Sequence, residues 1–311
     1  MSSKSVSADN SLRIIVGPTA AGKSALAMML AERFGAAIVS ADSRQIYRGF
    51  DIGTAKPGAE ERARVPHYGI DVADPTERWS AVRFATSADE WLADIAGAGQ
   101  TPVVVGGTGF WISALVAPLH AVPDLDEAGR DALERRMAVM THDELRAWCQ
   151  SVDPPFTRLG PAQWRRAIMV TLLTGRTLTE WHESGAPPAP RAVRYLVIDP
   201  GPAIEGRIAD RVDAMLRAGW MDEVRALRRS VPRSAIAWKS CGYEQLAAMV
   251  DAGVAETDVR GAIIQDTRQY ARRQRTWFRR QLRHGPVTLL DPSADDAAAR
   301  ATAWWNGEEA T

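Results

Sequence analysis

The chain has 311 residues and a mass of 33.9 kDa, with 38 basic and 38 acidic residues and a formal net charge of zero. A hydrophobic share of 46% with 24% charged residues supports a buried core and excludes a disordered chain or a collagen-like fibre. The two cysteines, Cys149 and Cys241, exclude a disulfide framework or a cysteine zinc site, and the neutral balance makes any field that attracts nucleic acid a local one.

The opening residues MSSKSVSADNS are polar, lack an apolar signal-peptide stretch and read as a tail. No run of about 18 apolar residues reads as a membrane span. A cytoplasmic monomer with no membrane contact is expected. Leu12–Val16 predicts a buried strand, and Lys23–Phe34 a helix stopped by Gly35. Ala36–Val39 and Pro102–Val105 predict further strands, with a helix over Ala81–Ile95 between them. Asp126–Met140, His142–Gln150 and Gln163–Thr174 read as helices, with no strand between about 117 and 190. Gly185–Pro190 reads as a hinge-like linker, and Tyr195–Ile198 returns to a strand. Ile204–Arg229 and Thr257–Arg283 predict two long helices, and Asp291–Thr311 a short last one carrying Trp304 and Trp305. Short apolar strands alternating with helices predict an α/β fold, a parallel sheet flanked by helices with an inserted all-helical domain. The expected boundaries are 1–116 and 193–311 for the core and 117–192 for the insertion.

Gly17-Pro18-Thr19-Ala20-Ala21-Gly22-Lys23-Ser24 matches G-x-x-x-x-G-K-[ST] between a predicted strand and a predicted helix. The glycines let the backbone curl around an anion, and the helix N-terminus adds a positive dipole end. Lys23 supplies a charge for a phosphate oxygen, and the Ser24 hydroxyl is a candidate Mg²⁺ ligand. The loop implies a bound polyphosphate without deciding between ATP, GTP and an isoprenoid diphosphate. Asp42 falls near the carboxyl end of the second strand, where open α/β sheets bind ligands. It reads equally as a base or metal holder facing the phosphates and as a turn cap.

Thr267–His284 carries arginines 268, 272, 273, 275, 279, 280 and 283 and no acidic residue. This concentrated positive stripe suits RNA phosphates and unpaired bases. Trp277 and Phe278 read as its anchors to the core. Trp111 and Trp164 read as candidate pocket or stacking residues. The five histidines show no metal spacing. A small-molecule P-loop kinase would not need the arginine helix, and a transferase acting on free adenine nucleotides could dispense with both that helix and the insertion. A non-catalytic RNA binder would not need the cradle with Asp42.

Asp42-Ser43-Arg44-Gln45-Ile46-Tyr47-Arg48-Gly49, followed by Asp51-Ile52-Gly53-Thr54-Ala55-Lys56-Pro57, resembles a segment of the bacterial tRNA dimethylallyltransferases. Pro66-His67-Tyr68 with Asp71, Val105–Gly109, Gly175–Glu180 and Thr267–Arg279 are similar to further stretches of that family in the same order. The resemblance spans about residues 12–283. It implies transfer of a dimethylallyl group from dimethylallyl diphosphate to N6 of the adenosine 3′-adjacent to the anticodon, in tRNAs reading codons that begin with U. It implies Asp42 as the base that takes the N6 proton, Gly17–Ser24 around the diphosphate with Thr19, Lys23 and Ser24 in contact with it, and Arg211 neutralising the leaving diphosphate. It implies tRNA contacts by Asp42, Ser43, Arg44, Gln45, Thr108, Arg130, Arg165 and Arg166, joined by Arg268, Arg272, Arg273, Arg275 and Arg279 of the basic helix. Mg²⁺ would be held through Ser24, and the RNA would run between core and insertion. The chain departs from the family pattern at Arg44, where an apolar side chain is usual, at Ala162 and Gln163, where Q-R is usual, and at Glu244, where a basic residue is usual.

Overall fold

The computed structural model describes residues 11–117, 122, 125–184, 189–252 and 257–308. The chain forms two compact units, 1–116 with 190–311 and 117–189. A boundary at 192 falls inside the first unit, where Arg191 donates its amide to Val116 O at 2.8 Å.

The first unit begins with β1 (Leu12–Val16), α1 (Lys23–Phe34), β2 (Ala36–Ser40), α2 (Ala59–Arg64), β3 (His67–Tyr68), α3 (Ala81–Gly97), β4 (Thr101–Gly106) and α4 (Gly109–Val116). The second unit holds α5 (Glu127–Ala138), α6 (His142–Val152), α7 (Pro161–Thr174) and α8 (Leu178–Glu183). The first unit then resumes with β5 (Val193–Ile198), α9 (Ile204–Arg217), α10 (Trp220–Ser230), α11 (Tyr243–Ala252), α12 (Thr257–Gln281), β6 (Val287–Leu290) and α13 (Ala297–Asn306). Six parallel strands form one sheet in the order β3-β2-β4-β1-β5-β6. The central strands are mostly apolar because helices cover the sheet: β2 and β5 are buried at every position, Ser40 and Arg194 included. All carboxyl ends lie at one edge of the sheet, so the loops after β1, β2, β4 and β5 converge there.

The predicted bounds of β1 and α1 are those observed, and Gly35 ends α1 in the left-handed region at φ 60°. Ile204–Arg229, predicted as one helix, is two. Gly219 turns the chain at φ 94° between α9 and α10, a conformation that glycine adopts without steric cost. Residues 117–190 hold no strand among those described. Six elements go unpredicted: the short helices α2, α4 and α8, together with β3, β6 and α11. β3 is two residues long, β6 is an edge strand with Val287 and Leu289 exposed, and α11 follows an irregular run.

The candidate ligand role of Trp111 is corrected by its place in the core. It is buried and stacks on Phe84 with ring centroids 4.4 Å apart. Trp164 is likewise a core residue of the helical unit, packed with Met137, Leu145, Cys149 and Ile168. In that unit Thr141 with Glu144, and Thr177 with Glu180, cap α6 and α8 reciprocally. Phe278 is buried and Trp277 half-buried, as anchors should be.

Candidate active site

The loop after β1 is the expected phosphate cradle. Gly22 precedes α1 at φ 99°, and neither a side-chain cap nor an acidic residue occupies the first turn of that helix. Its N-terminal amides and dipole therefore meet no carboxylate from the helix's own first turn. Lys23 Nζ donates to Pro18 O at 2.8 Å and folds back over the loop. Burial, reinforced by the nearby Arg211 and opposed by Asp42, lowers the Lys23 pKa to about 8. Arg207 donates to Ala21 O at 3.1 Å and braces the loop from α9.

Asp42 follows β2. Its Oδ1 accepts the Arg44 amide at 2.9 Å, so the turn-cap reading is correct as far as it goes. The residue also lines two cavities. One, of about 410 Å³, contains Lys23 and Ser24 with apolar Met28, Ile38, Ile70 and Val105. The other, of about 480 Å³, contains Arg44, Lys239, Cys241, Glu244, Asp266 and Arg273. Thr19, Asp42, Arg211 and Tyr270 line both, so the two cavities meet at these side chains. Burial pushes the Arg211 pKa down while Asp42 opposes the shift, and burial pushes the Tyr270 hydroxyl up. An arginine, a phenol and the Asp42 side chain thus share the junction.

The loop after β4 completes the wall. The Ser43 amide donates to Thr108 Oγ1 at 3.0 Å, which holds two predicted site residues together. Gly107 and Gly109 are small for steric reasons. A Cβ at Gly107 would lie 2.2 Å from Gln274 Nε2, and one at Gly109 would lie 2.3 Å from the Trp277 ring. Gln45, expected on the RNA, lines the cradle-side cavity instead. Its amide is used within the fold by Ser40 Oγ and the carbonyls of Thr54 and Ala55.

The arginine stripe is less unbalanced than its own sequence predicts, because neighbouring elements supply acids. Arg275 pairs with Asp199 and donates to Gly201 O at 2.6 Å. Arg268 and Arg272 approach Glu205 at 3.9 and 3.4 Å, and Arg279 approaches Asp199 at 3.9 Å. Arg273 is exposed and lines the larger cavity. Arg280 and Arg283 are exposed and form no ion pair among the described residues. In the helical unit Arg165 donates to Met137 O at 3.0 Å, burial pushes the Arg166 pKa down, and Arg130 lies in the first turns of α5.

Reasoning from the sequence missed three contributors. Tyr270 stands at the junction, Lys239–Cys241 lines the larger cavity, and Gln274 bridges two loops. Each reaches the site through tertiary packing. Gln274 and Tyr270 sit inside a family-like motif whose arginines dominate the reading. Among the described residues no group of three His, Cys, Asp or Glu side chains can hold a metal ion by itself.

Comparison with known proteins identifies the family. The family described as IPP transferase matches residues 45–281, and that described as isopentenyl transferase matches residues 10–66. The tRNA dimethylallyltransferase of Sorangium cellulosum is 41% identical over 281 residues, covering 88% of this chain and 89% of that protein. That of Deinococcus radiodurans is 38% identical over 295 residues, covering 93% and 95%. The solved structure of the tRNA isopentenylpyrophosphate transferase from Bacillus halodurans superposes with a TM-score of 0.67 at 30% identity, covering 96% of this chain and 95% of that one. The chain belongs to the IPP transferase family.

Proposed function

We propose that this chain transfers a dimethylallyl group from dimethylallyl diphosphate to N6 of an adenosine in tRNA, releasing diphosphate. The acceptor we assign is the base 3′-adjacent to the anticodon in tRNAs reading codons that begin with U. The observation that carries the reading is the junction of the two cavities at Thr19, Asp42, Arg211 and Tyr270. The cradle side offers an anion site with apolar neighbours, which suits a diphosphate bearing a five-carbon chain. The other side is polar and ringed by Arg44, Lys239 and Arg273, which suits a base carried on a polyanion. An anticodon-loop base must leave its stack to reach such a cavity, at a cost of a few kcal/mol.

The chemistry follows from these groups. The exocyclic amine of adenine is a weak nucleophile because its lone pair is delocalised into the ring. Asp42 accepts a proton from N6 as the nitrogen bonds to the allylic carbon. The C–O bond breaks and its electron pair leaves on the diphosphate. Lys23, Arg211 and the amides at the start of α1 stabilise that charge. Ser24 lines the same cavity, and its hydroxyl together with diphosphate oxygens is the donor set that suits Mg²⁺. When bound, the ion would further neutralise the leaving group.

Among the described residues no helix is long and apolar enough to cross a membrane. A tRNA acceptor supports a cytoplasmic setting, and we assign the chain to act there as a monomer. The test is Asp42→Asn. The variant should bind an anticodon stem–loop as the parent does and lose transfer by about 10²–10⁴-fold. Turnover within about threefold of the parent would remove Asp42 from the mechanism.

A further inference from the structure

Gln274 lies on α12 and is 6% exposed, yet both of its polar side-chain atoms are engaged. Its Oε1 accepts the Thr19 amide at 2.8 Å, and its Nε2 donates to Gly107 O at 2.9 Å. A buried amide side chain is costly unless both ends are satisfied, and here each end is satisfied by a different site loop. The link continues on both sides. Thr19 lines the junction of the two cavities, and Thr108, next to Gly107, accepts the Ser43 amide beside Asp42. The absence of a Cβ at Gly107 makes the room that Gln274 Nε2 occupies. Glutamine is the residue type that offers one acceptor and one donor on the same short amide. Glutamate would set a carboxylate oxygen against the Gly107 carbonyl, and methionine would satisfy neither loop.

We infer that Gln274 is a positioning residue for the transfer. It fixes the phosphate loop against the turn after β4, so that the diphosphate cradle and the Asp42 segment keep the register in which the allylic carbon and the acceptor nitrogen meet. The inference rests on the function proposed above. Gln274 also lines the cradle-side cavity, but its polar atoms are taken up by Thr19 and Gly107, and it acts through those two loops. A displacement of about 1 Å between reacting partners costs about 10²-fold in rate, which sets the size of the effect.

The experiment compares Gln274→Met and Gln274→Glu with the parent in the full chain. It measures kcat and KM for dimethylallyl transfer to an anticodon stem–loop, stem–loop affinity by anisotropy, inorganic pyrophosphate affinity by calorimetry, and the unfolding midpoint. Gln274→Met should lower kcat by about 10- to 100-fold, with stem–loop affinity within about twofold and the midpoint within a few degrees. Gln274→Glu keeps an acceptor for Thr19 and loses the donor to Gly107, so its kcat should fall between the other two. A Gln274→Met kcat within about twofold of the parent overturns the inference. A kcat loss matched by an equal loss of stem–loop affinity also overturns it. Should Gln274→Met not fold, Gln274→Glu decides by the same kcat criterion. A parent that transfers nothing defeats the functional reading alone. The pyrophosphate arm then judges Gln274: affinity weakened at least threefold in the variants supports it, and unchanged affinity overturns it.

Discussion

Lys23 and Arg211 share a cavity wall with Asp42, and the site's response to pH follows from that arrangement. Lys23 has a pKa of about 8 against an ordinary value of 10.5, so in the free protein its charge fades as the pH rises past about 8. The anionic diphosphate needs that charge. The kcat/KM for dimethylallyl diphosphate should therefore fall above pH about 8, measured under subsaturating conditions. A profile flat to pH 10 would show that Lys23 does not bind the leaving group. The same depressed pKa has a stability consequence. The unfolded chain holds the Lys23 proton more tightly than the folded one, so this lysine's cost is full below pH about 8 and is relieved as the pH rises towards 10.5. Lys23→Met should abolish transfer while leaving the unfolding midpoint at pH 7 at or above the parent's; a drop of several degrees would contradict burial as the cause. At this scale the sequence makes Lys23 and Ser24 legible through the loop motif, and Asp42 through its place just after a short apolar strand. It leaves Gln274 and Tyr270 illegible, because their roles depend on α12 packing against loops some 255 positions away in the chain for the Thr19 bond.

At the scale of elements, local signals and tertiary packing divide the outcome. β1 and α1 are read to the residue because a short apolar run, a glycine turn and the glycine at position 35 all mark boundaries locally. The break between α9 and α10 is missed because Gly219 lies inside a continuous amphipathic pattern, and glycine is tolerated within helices. The break matters for the site. It starts α10 so that Glu223 accepts the amides of Asp51 and Ile52 at 3.1 and 2.8 Å. Tyr243 of α11 then accepts the Gly53 amide at 3.0 Å and donates to Glu223 at 2.5 Å. Trp220 sits against Gly53 in the same corner. The loop after β2 is thereby tied down beside the cavities. Gly219→Ala forces a Cβ into the left-handed region and should destabilise the protein by about 1–2 kcal/mol in denaturant titration. An unchanged midpoint would mean that the turn relaxes freely.

For the whole molecule, zero net charge coexists with a site for a polyanion, so the attraction has to be local. Much of the α12 stripe is internally balanced, since Asp199 and Glu205 engage Arg275, Arg272, Arg268 and Arg279. The sequence could not reveal this, because those acids lie about 70 positions upstream and reach the stripe only through the fold. We assign the contacts with tRNA phosphates to the remaining cations Arg44, Lys239, Arg273, Arg280 and Arg283, of which about three to four would be engaged at once. With about three to four phosphates neutralised, stem–loop affinity should weaken by about 10- to 100-fold between about 50 and about 200 mM salt. A salt-independent affinity would contradict binding through these arginines.

The most direct test of the central claim is an acceptor competition. Labelled dimethylallyl diphosphate and Mg²⁺ are supplied with an unmodified anticodon stem–loop, AMP and ATP together, and the label is followed into each acceptor. The predicted result is label on the stem–loop adenosine alone. Label on AMP or ATP instead, or on no acceptor with the protein folded, would contradict the account.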